Sequence, residues 1–117
     1  MKKFAAILTT IFLAGCFGGP DLPKENGERM DLARETKDVE ILKVLAKDKN
    51  QGVRANVGAN QLTPVALLQK LADDSSATVQ KYVASNLSAP QEILEELSTR
   101  EDPKIRWVVA TNPTTKK

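Results

Sequence analysis

The chain has 117 residues, a nearly balanced charge of 17 Lys and Arg against 15 Asp and Glu, and no histidine. Balanced charge argues against duplex nucleic acid as a partner, and the lack of histidine removes the commonest general base and metal ligand. The single cysteine excludes an intramolecular disulfide and a thiolate metal cluster, and an aromatic content of 4% calls for an aliphatic core.

The first element is a leader. Met1-Lys2-Lys3 is cationic, and Phe4 to Leu13 is apolar apart from two threonines. Ten helical residues span about 15 Å, half of a bilayer core, so this run is a secretory signal in layout and not a spanning helix. It ends in Leu13-Ala14-Gly15-Cys16. That tetrapeptide resembles the lipobox of bacterial lipoproteins. The resemblance implies cleavage between Gly15 and Cys16, a diacylglycerol on the Cys16 thiol and acylation of the new amine. Loss of Lys2 and Lys3 with residues 1–15 would leave 15 cations against 15 anions. More than one acyl chain is what stable membrane anchoring requires. In the same family an Asp after the cysteine retains the protein in the inner membrane. Here Phe17 stands there, so the outer membrane is the expected destination.

Residues 16–35 follow as a lipidated cysteine, a tether and an N-terminal cap. Phe17 to Gly27 holds three glycines and two prolines, which disfavour helix and strand. Its flexible reach is about 20 Å. Glu28 to Glu35 is polar, carries Met30, Leu32 and Ala33, has room for one or two helical turns, departs from the register that follows, and reads as an N-terminal cap or as more tether.

Residues 36–113 repeat with a period of 26. Leu45, Leu71 and Leu97 keep step, as do Val53, Val79 and Ile105, then Val57, Val83 and Val109. Gly58, Ala84 and Ala110 form a column of small residues, expected at a tight contact between units, and Asn60, Asn86 and Asn112 a column of amides. A fixed period of this size marks stacked units, none of which buries its apolar face alone. The first half of each unit reads as an amphipathic helix near 38–47, 64–73 and 90–99, with Ile41, Leu42 and Leu45 or their counterparts on one stripe. Pro64 and Pro90 suit the first turn, and Thr63 before Pro64 suits an N-cap, where Ala89 would be poorer. The second half, near 53–59, 79–85 and 105–111, is short and β-branched, held by packing as an α or a 3₁₀ helix. The asparagines fall at its C-terminal end, suited to a left-handed residue or to bonds with their own backbone; a binding ladder is the other use of such a column. Residues 114–117 read as a tail.

The series Leu45-Ala46-x-Asp48, Val53-Arg54, Val57-Gly58-x-Asn60, Thr63-Pro64, Leu68 and Leu71-Ala72-x-Asp74 resembles the leucine-rich repeat variant. The resemblance covers about two thirds of the chain. It implies an all-α fold, a short right-handed α-solenoid of about three units built from α/3₁₀ or α/α pairs. HEAT-like helical pairs are the nearest alternative. An iron–sulfur cluster occurs in that family on an N-terminal cysteine cluster; this chain lacks those cysteines, so no cofactor is expected.

Between the two β-branched columns the residues vary: Arg54-Ala55-Asn56, Gln80-Lys81-Tyr82, Arg106-Trp107-Val108. They are expected to line one exposed face. Arg54, Tyr82, Arg106 and Trp107 are the candidate partner-binding residues, because aromatics and arginine dominate interface hot spots. The competing readings are structural. Trp107 would cover the open end of the last unit, Tyr82 would be partly buried between units, and the arginines would pair with carboxylates such as Asp48 or Asp102 or sit solvated. No nucleophile–base pair, metal set or phosphate loop is present, so no enzyme is expected. The expected function is a lipid-anchored envelope module that binds another envelope protein. A structural envelope lipoprotein and a phage or plasmid exclusion lipoprotein are the alternatives.

Overall fold

The computed structural model describes residues 21–116, so the leader, Gly15 and Cys16 lie outside the described residues. Within them the chain is all-helical: α1 (Asn26–Glu35), α2 (Val39–Leu45), α3 (Gln51–Ala59), α4 (Val65–Ala72), α5 (Ala77–Ser85), α6 (Gln91–Ser98) and α7 (Pro103–Thr111). The odd-numbered helices form one row, α1 on α3, α3 on α5 and α5 on α7. The even-numbered helices sit against that row, each touching the odd helix before it and the one after it. This is the α/α form of the expected pairs. The alternation with 3₁₀ helices implied by the resemblance is not what the described residues adopt.

The physical reason lies in how each odd helix starts. Asn50, Ser76 and Asp102 are spaced 26 apart and are all N-caps. Asn50 Oδ1 accepts from the amides of Gly52 and Val53, Ser76 Oγ from Val79, and Asp102 Oδ1 from Lys104. Satisfying these orphan donors lets each helix begin two residues before the β-branched column, giving nine α-helical residues. Of the even helices, α2 is capped likewise by Asp38, whose Oδ1 accepts from the Glu40 amide, and α4 and α6 start differently. Pro64 and Pro90 are themselves the N-caps and make no side-chain cap bond. Thr63 does not cap α4; its hydroxyl donates backwards to the Val57 carbonyl at 2.6 Å. Thr115, two periods on, does the same to Val109 at 2.6 Å.

The aligned columns form the core. Leu42, Leu68 and Leu94, then Leu45, Leu71 and Leu97, then Val53, Val79 and Ile105, then Val57, Val83 and Val109 are all buried. Each fully buried aliphatic side chain contributes roughly 1.5–3 kcal/mol through removal from water. The small-residue column marks the closest helix approach. A Cβ added to Gly58 would meet Val83 Cγ2 at 2.9 Å, so α3 and α5 touch where a larger residue would push them apart. Ala84 is buried as well, whereas Ala110 is exposed.

Two boundaries differ from those read in the sequence. The tether expected to reach Gly27 becomes helix at Asn26, and α1 buries Leu32 and Ala33 against the core. Residues 26–35 thus supply the first member of the odd row, out of register by about one residue. At the other end, residues expected as a tail are held: the Thr114 amide donates to Asn112 Oδ1 at 2.8 Å and the Lys116 amide to Gln91 Oε1 at 3.0 Å.

The asparagine column ties the row together. None of the three is left-handed; each is extended, with φ of −71°, −72° and −67°. Each Oδ1 accepts from the amide two residues on, at Leu62, Ser88 and Thr114. Each Nδ2 crosses to the preceding unit. Asn60 donates to the carbonyls of Ala33 and Thr36, both at 2.9 Å. Asn86 donates to Gly58 and Asn60 at 2.7 and 3.1 Å, and Asn112 to Ala84 and Asn86 at 2.7 and 3.2 Å. All three side chains are buried, so the ladder is internal and not a binding surface. Asn86→Ala strands the Gly58 carbonyl and removes two cross-unit bonds, and should cost about 2–4 kcal/mol. Urea melts followed by circular dichroism check this against Gln61→Ala at an exposed site; a loss below about 0.5 kcal/mol, the size of an ordinary surface substitution, would remove the ladder from the account.

Candidate functional site

The variable segment of the odd helices does not form one uniform exposed face. Ala55 and Asn56 are buried, and Asn56 Nδ2 donates to the Met30 carbonyl at 3.1 Å. They lie beneath α1, which the register of the repeat did not reveal. Further along the row Tyr82 on α5 is 40% exposed and Trp107 on α7 is 67% exposed, while Val108, one period after Tyr82, is partly buried against the core.

Arg54 is a joint between units. Its Nη1 donates to the carbonyls of Asp48 and Lys49 at 2.8 and 3.2 Å. Its Nε and Nη2 grip the Asp74 carboxylate at 2.8 and 3.2 Å. The carboxylate is therefore Asp74, not Asp48 or Asp102. Arg29, on α1, repeats the arrangement, with Nη1 on the carbonyls of Pro23 and Lys24 and a forked contact to Asp48 at 2.7 and 3.4 Å. Both pairs are largely withdrawn from water, which favours the planar fork of arginine over lysine. The asparate in each pair also accepts from the amide two residues on, Asn50 or Ser76, which fixes its rotamer.

The next joint carries the opposite polarity. Gln80 stands where Arg54 stood and Arg100 where Asp74 stood. Gln80 Nε2 donates to the Asp74 carbonyl at 2.7 Å, keeping the backbone anchor, and Arg100 Nε donates back to Gln80 Oε1 at 3.2 Å. Arg100 Nη2 also reaches the Ala72 carbonyl, Asp73 and Glu96, all at 3.0 Å. Glu96 beside Asp73 raises the Asp73 pKa, with burial adding to it and Arg100 opposing. Glu96 is held below the usual range by its bond with Asp73, then by Gln69 and Arg100.

Arg106 keeps the backbone anchor as well, with Nη1 on the carbonyls of Arg100 and Glu101 at 2.8 and 2.7 Å. Among the described residues no carboxylate closes its Nε–Nη2 edge, and the residue is exposed. The neighbouring Trp107 lines a shallow cleft of about 400 Å³ with Lys81, Pro103, Lys104 and Val108. Of the sequence candidates, Arg106 and Trp107 are thus consecutive on α7, the last helix of the row, and Trp107 but not Arg106 lines the cleft. Tyr82 lies one helix back, and Arg54 is inside the stack. A second groove, of about 350 Å³, runs between α2 and α4 and is edged by Lys43, Lys47 and Lys70. Sequence reasoning did not mark it, because its lysines come from two separate helices. No helix among the described residues is long and apolar enough to cross a membrane.

Comparison with known protein families, with curated proteins and with solved structures finds no match to this chain.

Two outcomes follow from the joints. Arg54→Ala and Asp74→Ala, combined in a double-mutant cycle, should show a coupling of about 1–2 kcal/mol in denaturant melts, whereas the exposed pair Arg34–Asp31 should show less than about 0.5 kcal/mol. Equal coupling in the two cycles would mean that burial does not strengthen the inner pair. At the reversed joint, Glu96→Gln removes the anion that raises Asp73 and leaves Arg100 to act on it. Carboxyl-carbon NMR titration should then find Asp73 ionising at lower pH than in the parent; no movement, or movement upwards, contradicts the assignment.

Proposed function

We propose that the chain is a lipid-anchored envelope protein whose helical repeat is a protein-binding module. The observation that carries this reading is α7, the last helix of the row, which exposes Trp107 and, one residue before it, a backbone-anchored Arg106. Elsewhere in the repeat the columns of the core are buried, Leu62, Val65 and Leu87 are exposed but less so than Trp107, and the asparagines and inner arginines hold units together. A rigid helical scaffold presenting an aromatic and an arginine has the composition of an interface centre. The lipobox-like Leu13-Ala14-Gly15-Cys16 supports the membrane anchor, and Phe17 after it supports the outer membrane as destination. The tether before α1 supports a domain held off the lipid surface, facing other envelope proteins. The leucine-rich repeat variant remains the family that the spacing resembles.

The test is made in intact cells. Wild type with a photo-cross-linking amino acid at Lys104, next to the cleft, should capture a discrete envelope protein. Trp107→Ala should reduce that capture by about 30-fold, the effect of losing a hot-spot side chain of about 2 kcal/mol, without lowering the melting temperature. Cys16→Ser should move the protein out of the membrane fraction. Undiminished capture by Trp107→Ala would point to a structural lipoprotein without this recognition face, and membrane retention of Cys16→Ser would remove the anchor.

A further inference from the structure

We propose that the open edge of Arg106 is a receptor for an aspartate on a partner protein, in which that aspartate sits two residues before the N-cap of a helix. The proposal deepens the binding reading above and rests on it. Three arginines, Arg29, Arg54 and Arg106, share one pose: Nη1 bonds the carbonyls six and five residues earlier, at Pro23 and Lys24, Asp48 and Lys49, Arg100 and Glu101. That anchor fixes the guanidinium plane and aims the Nε–Nη2 edge away from its own unit. In the first two, the edge holds an aspartate through both oxygens.

The two internal ligands are alike beyond their charge. Asp48 and Asp74 each begin an Asp-x-Asn or Asp-x-Ser turn, and the Asn50 or Ser76 that follows caps a helix. The molecule therefore contains two worked instances of receptor and ligand. Arg106 is a third receptor, exposed and without a carboxylate among the described residues. Its side chain is already held by two bonds, so little rotamer freedom is lost when a ligand arrives. A planar fork selects a carboxylate by geometry as well as charge. A second copy of this chain is a poor occupant. Its Asp48 and Asp74 are already gripped by Arg29 and Arg54, and Pro23 stands at the corresponding place before α1. Trp107, next in sequence and two-thirds exposed, lies about 100° round α7 from Arg106, close enough for its emission to report a helix docked there.

The test titrates the full chain with a synthetic peptide of residues 71–85, which carries the Asp74 turn, with an i,i+4 hydrocarbon staple joining positions 77 and 81 to hold the following helix that packing holds in the chain. Binding is read from the Arg106 Nε–H resonance and from the emission of Trp107, the only tryptophan. Saturable changes in both are expected, with affinity at least about tenfold weaker for the peptide carrying Asp74→Asn. Arg106→Gln should abolish the response while preserving the fold, because Gln80 already keeps the same backbone anchor in its own unit. Arg106→Lys keeps the charge but not the fork, and should also lose most of the affinity. Arg34→Gln, an exposed arginine elsewhere, should bind as the parent does. Equal binding by the Asn peptide, retained binding in Arg106→Gln, the absence of a saturable change, or self-association of the chain in place of peptide binding would each overturn the proposal. Because the assay needs no envelope, its failure would remove this chemistry and leave the cross-linking result in cells to decide the wider reading.

Discussion

The stack depends on a buried amide that serves two units at once. Each asparagine of the 26-residue column turns its oxygen to the backbone of its own loop and its nitrogen to carbonyls of the unit before. No aliphatic contact has this directionality. Leucine and valine columns supply most of the burial free energy, yet apolar surfaces can slide against one another at small cost. A buried donor that must meet two acceptors about 3 Å away cannot slide without losing both bonds. The asparagines therefore fix the register that the hydrophobic columns then fill.

Around this ladder the charged joints are variations on one device. An arginine or glutamine closes its own loop through backbone carbonyls, and its free end meets the next unit. Because the anchor is made to backbone, the side chain across the joint is at liberty to change. Asp74 serves at one joint and Arg100 at the next, with Arg100 gathering Asp73 and Glu96 around it. The same device lets one arginine serve inside the fold and another face outwards with no change of local geometry.

Much of this architecture was legible in the residues. The apolar columns predicted which side chains are buried, and the glycine at 58 predicted a close approach. What was missed follows from physics that a fixed period does not carry. One or two helical turns were expected at 28–35 as a cap; that this helix is a full member of the odd row was hidden because Arg29 lies 25 residues before Arg54 rather than 26, so its equivalence fell out of step. With that packing unseen, Ala55 and Asn56 looked exposed. The caps Asn50, Ser76 and Asp102 were in register and of capping type; the signal was present, but the β-branched column drew the helix start two residues too late. The cross-unit use of the asparagines and the i−6 carbonyl anchor of the arginines involve backbone acceptors, which leave no mark on residue identity. Arg106 and Trp107 were marked by composition, and only their neighbourhood had to come from coordinates.

The inverted joint between Gln80 and Arg100 has a consequence for how the chain assembles. Units so alike invite a folding error in which one is skipped and the next but one docks in its place. Had every joint matched arginine to aspartate, such a skip would be electrically silent. Here it would bring Arg54 up against Arg100, two cations at an interface that excludes water, while Asp74 lost its counter-charge. Skipping the second unit is thus penalised twice, whereas a skip that set Arg29 against Asp74 would keep its match, so the sign of the contacts guards the later joint and not the earlier one.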